Sequence, residues 1–191
     1  LEEIRILPDK VNKFKKFKKY NESDIDQLSK EEIINNLCSS GIWPNLIQRP
    51  FGMVADPKLS PKSIFISFFD TNPLSPNYSY VYAEDKEFIK IGIKVVQMLT
   101  EGKIHLNHNS DTFSEFSFDG CQNNLFSGPH PSGNVGIQIH HIEPINKGDV
   151  VWTTTPQGLV EIGRLFIEGR YDSSRQICVV GSEVVNPKFY K

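Results

Sequence analysis

The sequence predicts an α/β protein: a Rossmann-like open, mostly parallel sheet with helices on both faces. Three observations carry this. Lys62–Phe69 (KSIFISFF) is an unbroken run of strand length rich in β-branched and aromatic residues, which suits a strand buried on both faces. Glu84–Thr100 places Phe88, Ile91, Val95, Met98 and Leu99 at helical spacing, with acids at its start and Gly102 just past its end. Lys103–His108 then reads as the next strand, and strand, helix, strand calls for a right-handed crossover between parallel strands. The pattern repeats downstream. Asp149–Thr153 reads as a buried strand. The helix after it has a hydroxyl cap and Pro156 at its start, an apolar face of Leu159, Ile162, Gly163, Phe166 and Ile167, and Gly169 at its close. Gln176–Val180 reads as one more strand of the α/β alternation, ending at Gly181.

The remaining elements follow in chain order. Leu1–Leu7 alternates weakly before Pro8 and reads as a lone strand. A chain that opens on Leu1 rather than Met is expected to be a fragment of something longer. Lys10–Tyr20 interleaves six lysines with Phe14, Phe17 and Tyr20. It reads either as a patch for anionic partners or as an amphipathic linker whose aromatics dock while the lysines stay solvated. Ser29-Lys30-Glu31-Glu32 is a capping box, opening a helix through Cys38 that Gly41 ends in the left-handed conformation. Ile42–Phe51 mixes Trp43, Arg49 and Phe51 between two prolines. Such a segment either grips a flat ligand or partner, or covers a sheet edge. Asp70 falls at the carboxyl end of the Lys62–Phe69 strand, where open α/β sheets place ligands, though Asp also opens ordinary turns. A tyrosine-rich loop follows at Pro76–Ala83, and Asp111–Phe126 fits neither period cleanly.

The most distinctive stretch is Gly128–Gly136 (GPHPSGNVG). Three glycines and two prolines around His130 predict a tightly shaped turn, either a ligand loop or a corner. It has neither the spacing of a dinucleotide loop nor the Gly-Lys-[Ser/Thr] ending of a P-loop. His130 can donate to a carbonyl or quinone oxygen. Ile137–Pro144 starts with strand-like alternation, which would aim His140 and His141 to opposite faces and argues against a metal site there.

With 191 residues, the chain has room for one substantial domain, alone or with an appendage. A net charge of −2 argues against general nucleic-acid binding. Cys38, Cys121 and Cys178 are odd in number and lack CxxC spacing, which fits buried reduced thiols better than disulfides or an iron–sulfur site. No apolar run approaches the ~20 residues of a membrane helix. No Ser or Cys sits in a nucleophile elbow, so a hydrolase is not expected.

Taken in order, SGIWP…QRPF…VADP, IFISFFDTNPL, FSGPHPSGNVG and VVWTTTPQGLVEIGRLFIEGR resemble the A-type subunit of the Na+-translocating NADH:quinone reductase, over roughly residues 23–187. Relatives of that family include the C-type subunit of the Rnf complex and the flavoprotein subunit of respiratory complex I. The resemblance implies that residues 1–22 are the tail of a preceding barrel-sandwich (lipoyl-like) domain and a linker. It makes 23–187 a Rossmann-like domain and 188–191 the start of a link to a following domain. In flavin-binding relatives the region similar to Ser40–Pro50 carries a Gly-rich phosphate loop. Ser40-Gly41-Ile42-Trp43-Pro44 has bulky side chains instead, implying a degenerate nucleotide-binding loop.

The family further implies a peripheral subunit on the cytoplasmic face of the bacterial inner membrane. Flavins and iron–sulfur centres would belong to its partner subunits, which are mostly membrane-embedded, and none to this chain. Nucleic acid is not an implied partner. The implied role is support of electron transfer from NADH to ubiquinone coupled to Na+ export. Trp43, Arg49, Phe51, Asp70, Gly128, His130, Gly133, Asn134 and His140 are then the expected quinone- or partner-binding residues, with no catalytic residue and no metal. The competing readings are a scaffold without a small-molecule ligand and an active flavin- or NADH-binding enzyme, the latter disfavoured by the missing loop.

Overall fold

The computed structural model describes Leu7 and residues 15–190, so most of the strand expected at Leu1–Leu7 lies outside the described residues, as does Phe14. Lys15–Tyr20 runs as a strap across the end of a later helix: the Phe17 and Tyr20 N–H groups each donate at 2.8 Å, to the Gly169 and Phe166 carbonyls respectively. Phe17 and Tyr20 pack on the core while Lys15, Lys16, Lys18 and Lys19 are exposed, as a docked amphipathic linker requires.

The helices are α1 (Glu22–Ile25), α2 (Lys30–Ser40), α3 (Tyr78–Val81), α4 (Lys86–Gln97), α5 (Ser110–Phe116), α6 (Val135–Ile142) and α7 (Pro156–Glu168). The strands are β1 (Ile47–Arg49), β2 (Met53–Val54), β3 (Ser63–Ser67), β4 (Lys103–His108), β5 (Gln122–Leu125), β6 (Val151–Thr154), β7 (Ile177–Val179) and β8 (Lys188–Tyr190). The end signals read from the sequence act as expected. The Ser29 hydroxyl accepts from the Glu32 N–H at 3.2 Å while Glu32 accepts from the Ser29 N–H at 2.9 Å, and Gly41 ends α2 at φ 80°. Thr155 caps α7, Pro156 opens it, and Gly169 ends it at φ 64°.

Six strands form one sheet in the order β2-β1-β6-β3-β4-β5. The β6-β3-β4-β5 block is parallel throughout, and the β1–β2 hairpin joins it antiparallel along β6. The mostly parallel α/β sheet predicted from the sequence is present. The chain moves outward from β3 through β4 to β5, then returns to place β6 on the other side of β3. That reversal makes β3/β6 the topological switch point.

Alternation along β3 separates the two faces of the sheet. Ile64 and Ile66 join Ile104, Leu106 and Trp152 in the main core with α4 and α7. Phe65 and Val151 turn to the opposite face, where Ile139 of α6 closes a much smaller cluster.

Three expectations are corrected. Ile137–Pro144 is not a strand: residues 137–142 lie in α6, and Glu143 and Pro144 follow it. Besides its short alternation, the segment carries a helical stripe, Val135, Ile139 and Ile142, and this is the face that meets Phe65 and Val151. Ile177–Val179 does pair as a strand, but only with β8 in a separate two-stranded sheet, so it adds nothing to the main sheet. Its partner β8 is made by residues 188–190. Cys38 is exposed and Cys121 and Cys178 are half-buried, rather than fully buried, and all three are free. Asp111–Phe126, which fits neither period cleanly, holds most of α5 and then β5, and Ile42–Phe51 builds a short 3₁₀ turn and strand β1, which lies between β2 and β6.

α4 and α7 touch backbone to backbone. A Cβ on Gly92 would overlap the Leu159 backbone, and one on Gly163 would overlap the Phe88 backbone. Gly163→Ala is therefore expected to lower unfolding stability by ~2 kcal/mol or more, whereas Gly41→Asn at the exposed cap costs far less. Chemical denaturation of both variants checks this ordering.

Candidate functional site

The Gly128–Gly136 loop leaves the carboxyl end of β5 and folds back over the carboxyl end of β3. Thr71 is its anchor. The Thr71 hydroxyl accepts from the Gly133 N–H at 3.0 Å and lies 3.2 Å from His130 Nδ1. Gly133 must be glycine for this approach, since a Cβ there would sit 2.6 Å from the Thr71 nitrogen. Gly128 adopts φ 132°, and its carbonyl accepts from the Ser132 hydroxyl at 2.9 Å, closing the turn on itself. Asp70 is used locally: one carboxylate oxygen accepts from the Asn72 N–H at 2.9 Å and from its amide at 2.7 Å. His130 itself is exposed. In the tautomer that carries its proton on Nε2, His130 Nδ1 accepts from the Thr71 hydroxyl and Nε2–H is left as a donor.

Beside this anchor lies a cavity of about 300 Å³ lined by Phe69, Leu125 and Phe126 with Asp70, Thr71, Asn109 and Ser110, and closed by Ser127, Gly128 and Ser132. Three apolar side chains, Phe69, Leu125 and Phe126, line it among polar residues and loop backbone, a mixed surface that can take a small ligand with both flat and polar parts.

The structure brings together Asp70, Gly128, His130, Gly133 and Asn134 from the expected set. Asn134 precedes α6, and its carbonyl accepts from the Ile137 and Gln138 N–H groups at 2.9 and 3.1 Å. Arg49 reaches the other side of the same turn, with its guanidinium 2.9 Å from where a Gly136 Cβ would stand. Three residues lie elsewhere. Trp43 is buried in the main core; its indole N–H donates to the Ala55 carbonyl at 2.7 Å, and its ring meets Trp152 edge-on at 5.6 Å. That leaves no indole donor for a ligand, so Trp43 and His130 do not share a slot. Phe51 is 82% exposed at the tip of the β1–β2 hairpin. His140 is exposed on the last turn of α6, away from the loop, with its ring 5.7 Å from that of His141.

Sequence reasoning missed the polar groups beneath α6. Ser67, Asn107, Asn124, Gln138 and His105 form a linked series between the sheet and the helix. The available signal was parity: His105 and Asn107 face the same way on a strand whose intervening residues, Ile104 and Leu106, are apolar.

The start of α4, a place where helix N–H groups can hold phosphate, is covered by the chain's own charged groups. α4 starts at Asp85 with Glu87 in its first turn. The Asp85 carboxylate is bonded at 2.7 Å to Arg164, which binds Asp172 at 2.7 Å with its other terminal nitrogen. A phosphate at this helix start would meet two carboxylates. Asp172 is held down at about 2 by hydrogen bonds from the Ser174 side chain and backbone, with Arg164 adding to them.

His108 is fully buried between the Phe68 and Phe113 rings, with Nε2 3.2 Å from the Asn123 carbonyl oxygen. Burial pushes its pKa down to about 4. A histidine depressed on folding contributes stability that is complete above its unfolded pKa, ~6.5, and is lost as pH falls toward 4. His105, also lowered by burial, acts in the same direction. Unfolding free energy measured from pH 7 to pH 4 is expected to drop by roughly 2–3 kcal/mol through this window, with a shallower drop in His108→Gln.

Residues 28–171 match the family described as the NqrA second alpha/beta domain. The chain is 37% identical over 176 residues to the A-type subunit of the Na(+)-translocating NADH-quinone reductase of Photorhabdus laumondii, covering 92% of this chain and 39% of that protein. It is 36% identical over 176 residues to the same-named protein of Histophilus somni, covering 92% and 40%. For the Neisseria meningitidis protein of that name, identity is 37% over 177 residues, covering 92% and 39%. The chain spans about two fifths of the length of these curated relatives. By the match over residues 28–171, this chain belongs to the NqrA second alpha/beta domain family.

Proposed function

We propose that this chain serves as the second α/β domain of the A-type subunit in a Na+-translocating NADH:quinone reductase, and that its Gly128–Gly136 loop helps form the quinone access site. In this role it is a peripheral part of the complex. It supports electron transfer from NADH to ubiquinone coupled to Na+ export, with flavins and iron–sulfur centres held by mostly membrane-embedded partner subunits. Among the described residues no helix is long and apolar enough to cross a membrane, which is compatible with a peripheral position.

The observation that carries the reading is His130: an exposed imidazole fixed through Nδ1 by Thr71, on a loop bordering a cavity with Phe69, Leu125 and Phe126 in its wall. A quinone ring needs flat apolar surface and a donor for a carbonyl oxygen, and this arrangement supplies both. The domain moves no electrons itself in this account; it shapes the place where the acceptor arrives.

A second reading, a docking scaffold without a ligand, draws on the β1–β2 hairpin. Phe51, Met53 and Val54 are exposed by 82%, 59% and 50% along that edge, more apolar surface than so short a segment leaves to water without a covering partner.

Thermal melting with a water-soluble short-chain ubiquinone separates the two. The quinone reading expects the midpoint to rise with quinone concentration, by the equivalent of ~2.7 kcal/mol at a hundredfold excess over Kd. It also expects the rise to vanish in His130→Ala, whose melting without quinone stays near that of the parent because His130 is exposed. A midpoint unmoved by saturating quinone leaves the scaffold reading.

A further inference from the structure

We propose that Gln138 is the positioning residue for the His130 loop, setting through its side-chain amide where that loop stands above the sheet. Gln138 lies next to Ile139 on α6 and is fully buried. Its Nε2 donates to the Ser67 hydroxyl at 2.9 Å and to the Ser132 carbonyl at 3.1 Å, and its Oε1 accepts from Asn107 Nδ2 at 2.8 Å. One side chain therefore joins α6, β3, β4 and the loop.

The orientation of this amide is determined by its neighbours. Asn124 Nδ2 donates to Asn107 Oδ1 at 2.9 Å, so Asn107 presents its Nδ2 to Gln138, and Gln138 must turn its oxygen toward β4. Its two N–H bonds then go to Ser67 and Ser132. Ser67 sends its own proton to the Phe69 carbonyl at 3.0 Å, leaving its oxygen free to accept. Ser132 and Gly133 are pinned in succession, the first at its carbonyl by Gln138 and the second at its N–H by Thr71. His130 is two residues upstream of this double anchor.

Apolar packing cannot take over this task. Among the described residues the apolar cluster beneath α6 is small, Phe65, Ile139 and Val151 with half-buried Val135, Ile142 and Ile145 against them, so polar bonds carry a share of the alignment. An aliphatic side chain at 138 would leave Asn107 Nδ2 and the Ser132 carbonyl buried and unpartnered. A carboxylate would accept from Asn107 but donate to neither Ser67 nor Ser132; only its protonated form could donate one of the two bonds. The titratable groups nearest this network are His105, 3.3 Å from Asn124 Nδ2, and Glu143, 3.8 Å beyond His105.

The loop's relevance to quinone rests on the function proposed above, but its positioning is measurable without any ligand. Amide exchange at Gly133 and the NMR titration of His130 are followed in the parent chain, Gln138→Glu and Gln138→Leu, with β3 amides as a control for global stability. Protection factors, which already remove the intrinsic pH dependence of exchange, are compared. Positioning by Gln138 predicts about tenfold less Gly133 protection in Gln138→Leu, with an altered His130 titration and little change in β3. In Gln138→Glu, where burial raises the new carboxyl's pKa, protection is expected to be low at alkaline pH and to recover as the carboxyl takes up its proton. The parent shows no such recovery; toward acid its Gly133 and β3 amides change together, with global stability. Parent-like protection at Gly133 in Gln138→Leu overturns the proposal. So does a loss spread equally over β3 and the loop, or the absence of any acid recovery in Gln138→Glu, which also decides the matter if Gln138→Leu does not fold.

Discussion

Arg164 bonds at 2.7 Å to Asp85 at the start of α4 and at 2.7 Å to Asp172 beyond the end of α7, with its own side chain only 15% exposed. Much of the molecule's character depends on this pairing. It ties the long connection after β3 to the helix after β6, the same two segments whose helices pack backbone to backbone. It also covers the first turn of α4 with a neutralised carboxylate. Removing Arg164 would free two carboxylates in a half-buried crevice, which costs more than losing an exposed ion pair.

The sheet's two faces are held by different physics. Toward α4 and α7, aliphatic and aromatic side chains pack around glycine contacts, and such a face tolerates little displacement. Toward α6, a handful of apolar residues is supplemented by Ser67, Asn107, Asn124 and Gln138, whose bonds are directional. Directional bonds specify where a helix and its leading loop stand more sharply than apolar area does. The candidate site is on this polar face, with its loop fixed to Thr71 on one side and to Gln138 on the other. Rigidity at the loop's base and exposure at His130 are the combination a recognition loop needs.

Much of the fold was legible because its signals were local. Ser29, Gly41, Thr155 and Gly169 act as the caps their types predict, and Lys62–Phe69 and Glu84–Thr100 have unambiguous periods. Misreadings arose where local pattern underdetermines structure. Ile137–His140 alternates over too few residues to separate a strand from a helix, and the choice is made by Val135, Ile139 and Ile142 meeting Phe65 and Val151. Ile177–Val179 has strand character, but which sheet it joins is a tertiary fact. In the site, the Gly/Pro spacing announced a shaped loop at His130, and the family resemblance marked the same residues. It could not announce Thr71 or Gln138, whose partners are distant in sequence: Gly133 is 62 residues from Thr71, and Ser67 is 71 from Gln138. Trp43 illustrates the reverse error, since an aromatic among prolines resembles a ligand platform until its N–H proves to be satisfied by Ala55.

The Asp85–Arg164–Asp172 cluster at the start of α4 predicts that no nucleotide phosphate binds there. Equilibrium dialysis of the chain against FMN and against NADH tests it most directly. The account predicts no retained nucleotide at millimolar ligand, because a phosphate would have to displace the Asp85 carboxylate from Arg164 and face Glu87. Stoichiometric retention of either nucleotide would contradict it.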